Sequence, residues 1–350
     1  MNYTLKKNMF SLIQGTGLFA FASRFNTSKG FILMFHRVRK KNEPSVDTSF
    51  FHNLGLSITS DYLLTLIDRI QADKKYRFLS LNDISRTEPT QEKFIILTFD
   101  DGYIDNYSIA YPLLKQRNIP FTLYISNIFP DKHAILWWYL LSELITTRSR
   151  VTFTFHKKSY AYDTSTQGKK TSAYAIMEQM IKASIPHHQE ELFHSLFIQN
   201  GLDPYAYARS ETMSWDNIRT LSRDSLVTIG AHTMNHYPLA NLGKKELRLE
   251  ISKAKQELEE KTGKSIEHFS FPYGKHADIS PAAIRQVTLA GFKTAVTTCE
   301  ANIHTTDRDS LLRLPRFTIS GKFEHPGFLD LCGSGLYAPL LRLERKFTAI

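Results

Sequence analysis

Residues 94–103 have the sequence FIILTFDDGY, and the fold follows from this stretch. Its apolar, partly β-branched first half is typical of a strand buried on both faces, as in a parallel α/β sheet. The strand ends in Asp100 and Asp101, two adjacent carboxylates that repel each other at the end of a buried element. A metal cation would offset one charge and leave the other carboxylate as a base. The plainer alternative is an Asp that caps a helix after a turn at Gly102.

A second strand signal, at residues 227–231, is followed directly by HTMNH at residues 232–236. A spacing of four residues predicts that His232 and His236 lie on one side of a helical turn, close enough to share a metal ion. One carboxylate and two histidines leave open positions on a zinc-like ion, as a hydrolytic site requires.

Three motifs together resemble those of the polysaccharide deacetylases, the NodB-homology group or carbohydrate esterase family four. They are, in order, TFDDG at 98–102, HTMNH at 232–236 and FPYG at 271–274. The resemblance implies a distorted (β/α) barrel, a divalent metal that is most often zinc, and hydrolysis of N-acetyl groups on amino sugars. The alternation of predicted strands and helices independently favours an α/β sheet or barrel.

The resemblance also implies roles for individual residues. Asp101, His232 and His236 are expected to hold the metal, and Asp100 is expected to take a proton from water as the general base. The residue after the motif-three proline, here Tyr273, is expected to donate its backbone N–H to the oxyanion.

One position departs from the family pattern. Many relatives carry an arginine two residues before the motif-three proline, where it orients the catalytic aspartate, and this chain has Ser270 there. We predict that Arg316, or alternatively Arg313, supplies the missing guanidinium.

The general acid is predicted to be His36, which ends the strand signal FILMFH at residues 31–36. The family's late leucine-x-leucine-x-histidine motif is missing downstream. Relatives that de-N-acetylate exopolysaccharide are similar in carrying this motif at the front, as a circular permutation of the barrel. Imidazole suits proton transfer near neutral pH, and active sites of α/β barrels assemble at the carboxyl ends of strands. The alternative is a histidine that only ends a strand.

The predicted domain organisation is one barrel with additions. Residues 30–320 are assigned to the barrel, with a mostly helical insertion at 131–212 that contains a short strand at 151–155. Residues 1–29 are assigned to an N-terminal helical segment and residues 321–350 to a tail. Trp137 and Trp138 in the insertion would either stack on sugar rings or pack inside it.

The composition and net charge of the chain indicate which classes of molecule it would bind. The 350-residue chain has a net charge of +10 and a pI near 9.4, which favours acidic partners such as anionic glycans or lipid head groups. No basic run with interleaved aromatics indicates a nucleic-acid surface. Cys299 and Cys332 are the two cysteines, and they predict no disulfide framework.

The predicted function is metal-dependent hydrolysis of N-acetyl groups on a bacterial-type polysaccharide or its lipid-linked precursor. Two alternatives are an amide hydrolase acting on a small molecule and a non-catalytic glycan-binding protein. Polar residues 14–17 interrupt the N-terminal apolar run, so we expect a retained helix that either packs on the barrel or lies on a membrane as a peripheral contact, in a cytoplasmic protein. An export signal cleaved after Ala22 is the alternative.

Overall fold

The computed structural model describes Phe10 and residues 15–40, 53–86 and 92–340. Strands in these ranges are, in chain order, β1 Gly30–Phe35, β2 Arg37–Arg39, β3 Ser57–Thr59, β4 Tyr76–Phe78, β5 Lys93–Phe99, β6 Phe121–Ile125, β7 Arg150–Phe155, β8 Lys158–Asp163, β9 Val227–Ala231, β10 His268–Ser270, β11 Thr294–Val296 and β12 Phe317–Thr318.

The α-helices surround the strands and complete the α/β pattern. Their bounds are Leu18–Ser23, Ser60–Ala72, Tyr111–Gln116, Trp137–Thr147, Gln167–Ala183, Pro186–Phe193, Ala206–Glu211, Trp215–Leu221, Lys244–Arg248, Ala254–Thr262, Pro281–Leu289, Arg308–Leu311 and Phe328–Ser334. Short π-helical turns extend three of them, at Asn106–Ala110, His194–Ile198 and Leu249–Lys253.

The main sheet is parallel and has the strand order β11-β10-β9-β6-β5-β1-β12, with β4 paired to the start of β5. Strand β1 therefore lies between β5 and the C-terminal strand β12, as a circularly permuted barrel would order them. The predicted fold class, an α/β barrel of the NodB type, is confirmed by this curled parallel sheet and its surrounding helices.

Strand β5 shows why the sheet is buried on both faces. Side chains alternate along a strand, so Ile95, Leu97 and Phe99 pack outward against the helices. Phe94 and Ile96 point inward and share the barrel interior with residues of other strands, including Tyr124. A Cβ at Gly230 would lie 2.5 Å from the Tyr124 ring, so only glycine lets β9 pass this interior side chain.

Residues 314–319 connect the two edges of the sheet. On one side the Leu314 N–H donates to Ala295 O at 2.9 Å, and on the other the Ile319 N–H donates to Met34 O at 2.9 Å. The side chain of Arg316, in the middle of this segment, is thereby directed into the barrel, where it is 0% exposed.

The insertion at residues 131–212, between β6 and β9, contains four of the helices and the antiparallel hairpin β7–β8. The strand predicted at 151–155 lies within β7, whereas β8 was not predicted from the sequence. Aromatic and aliphatic residues of the insertion form a separate hydrophobic cluster that includes Trp137 and Trp138.

The first and last of the α-helices named above pack together. Phe19 of the Leu18–Ser23 helix is 2% exposed, and this helix contacts Phe328–Ser334. The helix predicted before residue 15, except for Phe10, and the basic tail after residue 340 lie outside the described residues. Among the helices that the structure describes, none has the length and hydrophobicity needed to cross a membrane.

Candidate active site

One cleft lies at the carboxyl ends of the parallel strands, where α/β barrels place their sites. It has a volume of about 860 Å³. Side chains two positions apart along an extended strand point to the same side, so His36 follows inward-facing Met34 of β1. In the same way Asp100 follows inward-facing Thr98 of β5. Polar lining residues from the barrel include His36, Asp100, Asp101, His232, His236, Tyr273, Lys275, His276, Thr298, Cys299, Glu300 and Thr318.

Asp101, His232 and His236 bring three potential ligand atoms together in this cleft. Asp101 Oδ1 lies 3.3 Å from His232 Nε2 and 3.2 Å from His236 Nε2. Within the part of the chain that the structure describes, no other group of three His, Cys, Asp or Glu residues offers ligand atoms within 4.8 Å of one another. The predicted trio is therefore assembled from two strand ends that are about 130 residues apart in sequence.

These side chains fit a divalent ion. Asp101 is 3% exposed, and its Oδ1 has no hydrogen-bond donor among the described residues, a costly state that a cation would relieve. His232 Nδ1 lies 2.8 Å from the carbonyl oxygen of Ser270. Because a carbonyl only accepts, Nδ1 carries the proton and Nε2 keeps its lone pair for a metal. One carboxylate and two imidazoles suit zinc with open positions.

The protonation states of Asp101 and His236 also suit metal binding. Burial alone would raise the pKa of Asp101, but the neighbouring His236 and His232 hold it well below the ordinary value of an aspartate. Burial lowers the pKa of His236. A carboxylate and a neutral imidazole are the forms that coordinate a cation.

The histidine-bearing segment is not helical, so the predicted helical turn at 232–236 is wrong. Thr233 and His236 have φ angles of 69° and 61°, in the left-handed region. Buried Glu250 holds the loop instead, because its Oε2 accepts the Asn235 N–H at 2.9 Å and its Oε1 accepts Asn235 Nδ2 at 2.7 Å. The two rings converge because of this loop geometry, with centroids 4.9 Å apart.

Backbone strain concentrates at the cleft. Among the described residues, eight non-glycine residues have positive φ, and four of these belong to the site motifs. These four are Asp101 at 79°, Thr233 at 69°, His236 at 61° and Tyr273 at 60°. Such conformations cost free energy and persist where the surrounding structure imposes them, which is common at active sites.

Arg316 binds the carboxylate of Asp100 with both of its terminal nitrogens. Its NH1 donates to Asp100 Oδ1 and its NH2 to Asp100 Oδ2, each at 2.7 Å. The hydroxyl of Ser270 accepts from Arg316 NH2 at 3.0 Å and donates to Asp100 Oδ2 at 3.1 Å. Thr98 Oγ1 and Thr297 O accept the remaining Arg316 bonds at 3.1 and 2.9 Å. Arg313, the alternative, is exposed.

This ion pair determines the charge of Asp100. Burial by itself would raise the pKa of the carboxyl, which is 2% exposed, but the Arg316 guanidinium lowers the pKa below its ordinary value. Asp100 is therefore an oriented carboxylate beside the Asp101 group. A carboxylate offers about four acceptor positions, and Arg316 and Ser270 occupy three of them, so Oδ1 retains one for a proton.

Tyr273 contacts the site through both its backbone and its ring. Its ring lies 5.1 Å from that of His236, and its hydroxyl accepts a hydrogen bond from Trp137 Nε1 at 3.3 Å. Within the described residues, its backbone N–H has no acceptor among the backbone hydrogen bonds. That N–H is available for an oxygen of a bound ligand.

His36 lies on the rim that carries Asp100, Asp101, His232 and His236. The Asp100 N–H donates to Phe35 O at 3.0 Å, so His36 and Asp100 follow directly from the paired ends of β1 and β5. His36 Nδ1 is buried without a partner among the described residues. The predicted site residues His36, Asp100, Asp101, His232, His236, Tyr273 and Arg316 are thus in or directly beneath one cleft.

Sequence reasoning missed the contribution of the insertion. Its Gln167–Ala183 helix lines the cleft with Tyr174, Glu178 and Lys182. Lys182 Nζ lies 2.6 Å from Glu178 Oε1 and 5.3 Å from the Tyr273 ring centre. No motif marks these positions, because a polar helix face has the same pattern whether it borders solvent or a cleft.

Residues 87–294 match the sequence profile of the family described as polysaccharide deacetylase. Because the match spans more than half of the chain, the chain belongs to the polysaccharide deacetylase family, and it is a hydrolase of the deacetylase class. The resemblance seen in the three motifs is confirmed.

A relative found by sequence comparison supports the assignment to this family. YxkH of Bacillus subtilis (strain 168), named as a polysaccharide deacetylase, is 40% identical over 53 residues, which are 15% of this chain and 19% of that protein. The aligned segment thus covers about a fifth of that relative.

Solved structures of similar fold include deacetylases. The Streptococcus pyogenes deacetylase PplD in complex with acetate has a TM-score of 0.55 at 17% identity, covering 87% of this chain and 97% of that one. The de-N-acetylase from Aggregatibacter actinomycetemcomitans has a TM-score of 0.53 at 16% identity, covering 86% and 98%. IcaB from Ammonifex degensii has a TM-score of 0.53 at 16% identity, covering 88% and 97%. At these identities the likeness establishes the fold.

Proposed function

We propose that the protein hydrolyses N-acetyl groups on amino sugars of a bacterial-type polysaccharide or its lipid-linked precursor, with a divalent metal ion, zinc in the first instance. The observation that carries this proposal is the buried Asp100–Arg316 pair beside the Asp101, His232 and His236 cluster in one open cleft. The two adjacent aspartates have different surroundings and can therefore take different roles. Asp100, held by a guanidinium, suits the role of base, and Asp101, which lies among imidazoles, suits that of metal ligand.

The metal site supplies one part of the chemistry. A divalent ion held by Asp101, His232 and His236 lowers the pKa of water and polarises a carbonyl when bound. Asp100 takes the proton of the attacking water, and Arg316 keeps it ionised and oriented for that step. The products are acetate and a free amine.

Two further groups complete the proposed reaction. The Tyr273 backbone N–H donates to the acetyl oxygen as negative charge develops on it. The His36 imidazolium donates a proton to the departing nitrogen, because an unprotonated amide nitrogen is a poor leaving group. His36 lines the same cleft as Asp100, as an acid acting opposite that base requires.

The cleft favours a saccharide over a small amide. Its volume of about 860 Å³ is near the upper end for small-molecule pockets, and Trp137 and Trp138 contribute to its lining. Both tryptophans are largely buried, at 6% and 8% exposure, so little of either ring is available to stack on a sugar. Lys182, Lys275 and Lys322 also line the cleft and would suit an anionic substituent.

The test is a substrate panel with purified protein. N-acetylated oligosaccharides of increasing length are incubated with the protein alongside N-acetylglucosamine and simple aliphatic acetamides, and released acetate and free amine are measured. We expect acetate from oligosaccharides, loss of activity in chelator, and a ~10²–10⁴-fold lower turnover for D100N. Preference for the simple acetamides would support the small-molecule alternative, and oligosaccharide binding without acetate release would support a non-catalytic role.

A further inference from the structure

His36 lies at a break between two sheets. Strand β1 ends at Phe35, in register with Phe99 of β5, whereas β2 begins at Arg37 and pairs with β3 in a separate small sheet. His36 between them belongs to neither strand. The pairing of β1 with β5 therefore sets the position of Phe35 but does not by itself hold the residue that follows it.

Asn106 holds the backbone of His36. It is 0% exposed, and its Nδ2 donates to the carbonyl oxygen of His36 at 2.8 Å and to Asp105 Oδ1 at 3.1 Å. A buried amide bonded to the carbonyl of one particular residue restrains that peptide far more than water would.

Asp105 holds the next two residues. Its Oδ1 accepts the backbone N–H of Val38 at 3.0 Å, and its Oδ2 accepts Arg37 Nε at 2.6 Å. Arg37 in turn donates through NH1 to the hydroxyl of Tyr139 in the insertion at 3.2 Å. The chain from His36 to Val38 is thus anchored at three consecutive residues by Asp105 and Asn106.

Asp105 and Asn106 lie on the same short segment as the catalytic carboxylates. This segment starts with Asp100 and Asp101, continues through Gly102, and ends at Asn106. One end of it carries the proposed base, and the other end bonds the backbone of the proposed acid. A change in the segment therefore moves the two groups relative to each other.

We propose that Asn106, supported by Asp105, is a positioning residue that sets the location of the His36 imidazole relative to Asp100. This inference rests on the proposed role of His36 as the general acid. It assigns a function to two buried polar residues beyond the metal ligands, the base and its arginine. The hydrogen bonds that Asn106 makes have ordinary lengths, and Asn106 and Asp105 are themselves buried, at 0% and 6% exposure.

The test compares two substrates that differ in their need for an acid. An N-acetylated oligosaccharide requires protonation of its leaving amine, whereas an aryl acetate releases a stable phenolate without it. For N106A we expect kcat/KM on the oligosaccharide to fall by roughly 10- to 100-fold, as misplacement by about 1 Å can cause, and to fall less than about threefold on the aryl acetate. Metal content is expected to be unchanged.

The control is N26A. Asn26 Nδ2 also donates to a backbone carbonyl, that of Gly333 at 2.9 Å, but Asn26 does not line the cleft. This variant is expected to leave the ratio of the two activities unchanged. If N106A does not fold, D105N preserves side-chain volume while removing the charge that binds Arg37, and it is expected to shift the ratio in the same direction.

H36A is measured in the same series to separate the two hypotheses. If H36A lowers both activities equally, the acid role of His36 fails. If H36A lowers only oligosaccharide turnover but N106A and D105N do not, the positioning role alone is overturned. In the double variant H36A/N106A we expect no loss of oligosaccharide turnover beyond that of H36A, because the Asn106 hydrogen bond then has no imidazole to position. An additive loss of turnover would overturn the proposal.

Discussion

Arg316 and Asp100 form a bidentate ion pair in which neither side chain is more than 3% exposed, although 216 positions separate them in the chain. In many relatives the arginine that orients this aspartate stands two residues before the motif-three proline. Here the position holds Ser270, whose hydroxyl bonds both partners. The guanidinium has been supplied from the segment that connects β11 to β12.

Replacing this arginine is expected to reduce turnover strongly. R316K keeps the charge but cannot form two parallel bonds, so we expect kcat to fall about 100-fold. R316M leaves a buried carboxylate without its partner and is expected to lose about 3–5 kcal/mol of unfolding free energy. Steady-state kinetics and urea denaturation measure the two effects. Near-normal turnover of R316K would show that the bidentate geometry is not needed.

The departure from the family pattern can be reversed. In R316S/S270R the arginine returns to the motif-three position, and the space left by Arg316 is free for it. We expect this double variant to regain at least about tenfold of the turnover lost in R316S, since one guanidinium again contacts Asp100. S270R alone is the control, and we expect it to be poorly folded because Ser270 is 0% exposed. No gain in the double variant would mean that the two positions are not equivalent.

The two adjacent aspartates are expected to respond differently to the same change. D100N removes the proposed base without altering the Asp101 cluster, so turnover should fall by ~10²–10⁴-fold while metal content stays normal. D101N removes the only carboxylate of the cluster and should lower metal content itself. Elemental analysis of each variant with parallel kinetics is the measurement. A reversed outcome would exchange the two roles.

Metal removal is expected to abolish activity reversibly. We expect one divalent ion per chain, loss of activity in chelator, and recovery with zinc or cobalt, because Asp101, His232 and His236 form a carboxylate and imidazole set. H232A and H236A should each weaken binding. Active protein without bound metal, together with resistance to chelator, would contradict the prediction.

His268 is expected to make stability depend on pH. Burial lowers its pKa from the ordinary 6.5 to about 4, and its ring bonds Thr294 Oγ1 at 2.9 Å and Asn82 Oδ1 at 2.7 Å. As pH falls below 6.5 the unfolded state binds the proton first, so stability present above that pH is lost progressively down to about 4. Protonation of His268 alone is expected to lower the free energy of unfolding by about 2 kcal/mol at pH 5.

Urea unfolding of wild type and H268Q at pH 7, 6 and 5 measures the contribution of His268 to the pH dependence of stability. Glutamine can donate to Asn82 and accept from Thr294 but does not titrate, so the stability difference between the two proteins should shift by about 2 kcal/mol in favour of H268Q between pH 7 and pH 5. Parallel pH dependences would exclude His268 as the source.

Much of the site was predictable because its motifs are local. A buried strand that ends in Asp100 and Asp101 is recognisable from hydrophobicity and charge over ten residues. His36 was predicted because it ends the strand signal at residues 31–36 and because relatives that de-N-acetylate exopolysaccharide carry a similar motif at the front of the chain. The helical turn at residues 232–236 was predicted wrongly because spacing alone does not distinguish a helix from a loop held by Glu250, a residue 14 positions further along the chain.

The sequence by itself determined the family, the parallel α/β barrel and the residue types that converge on the cleft, since strand period and motif order depend on near neighbours in the chain. Only the tertiary structure decided that Arg316 rather than Arg313 reaches Asp100, that Asn106 bonds His36, and that the insertion lines the cleft with Lys182. Each of these contacts joins segments far apart in the chain, and their meeting depends on how the sheet curls and closes. That geometry results from packing of the whole barrel, which no local pattern encodes.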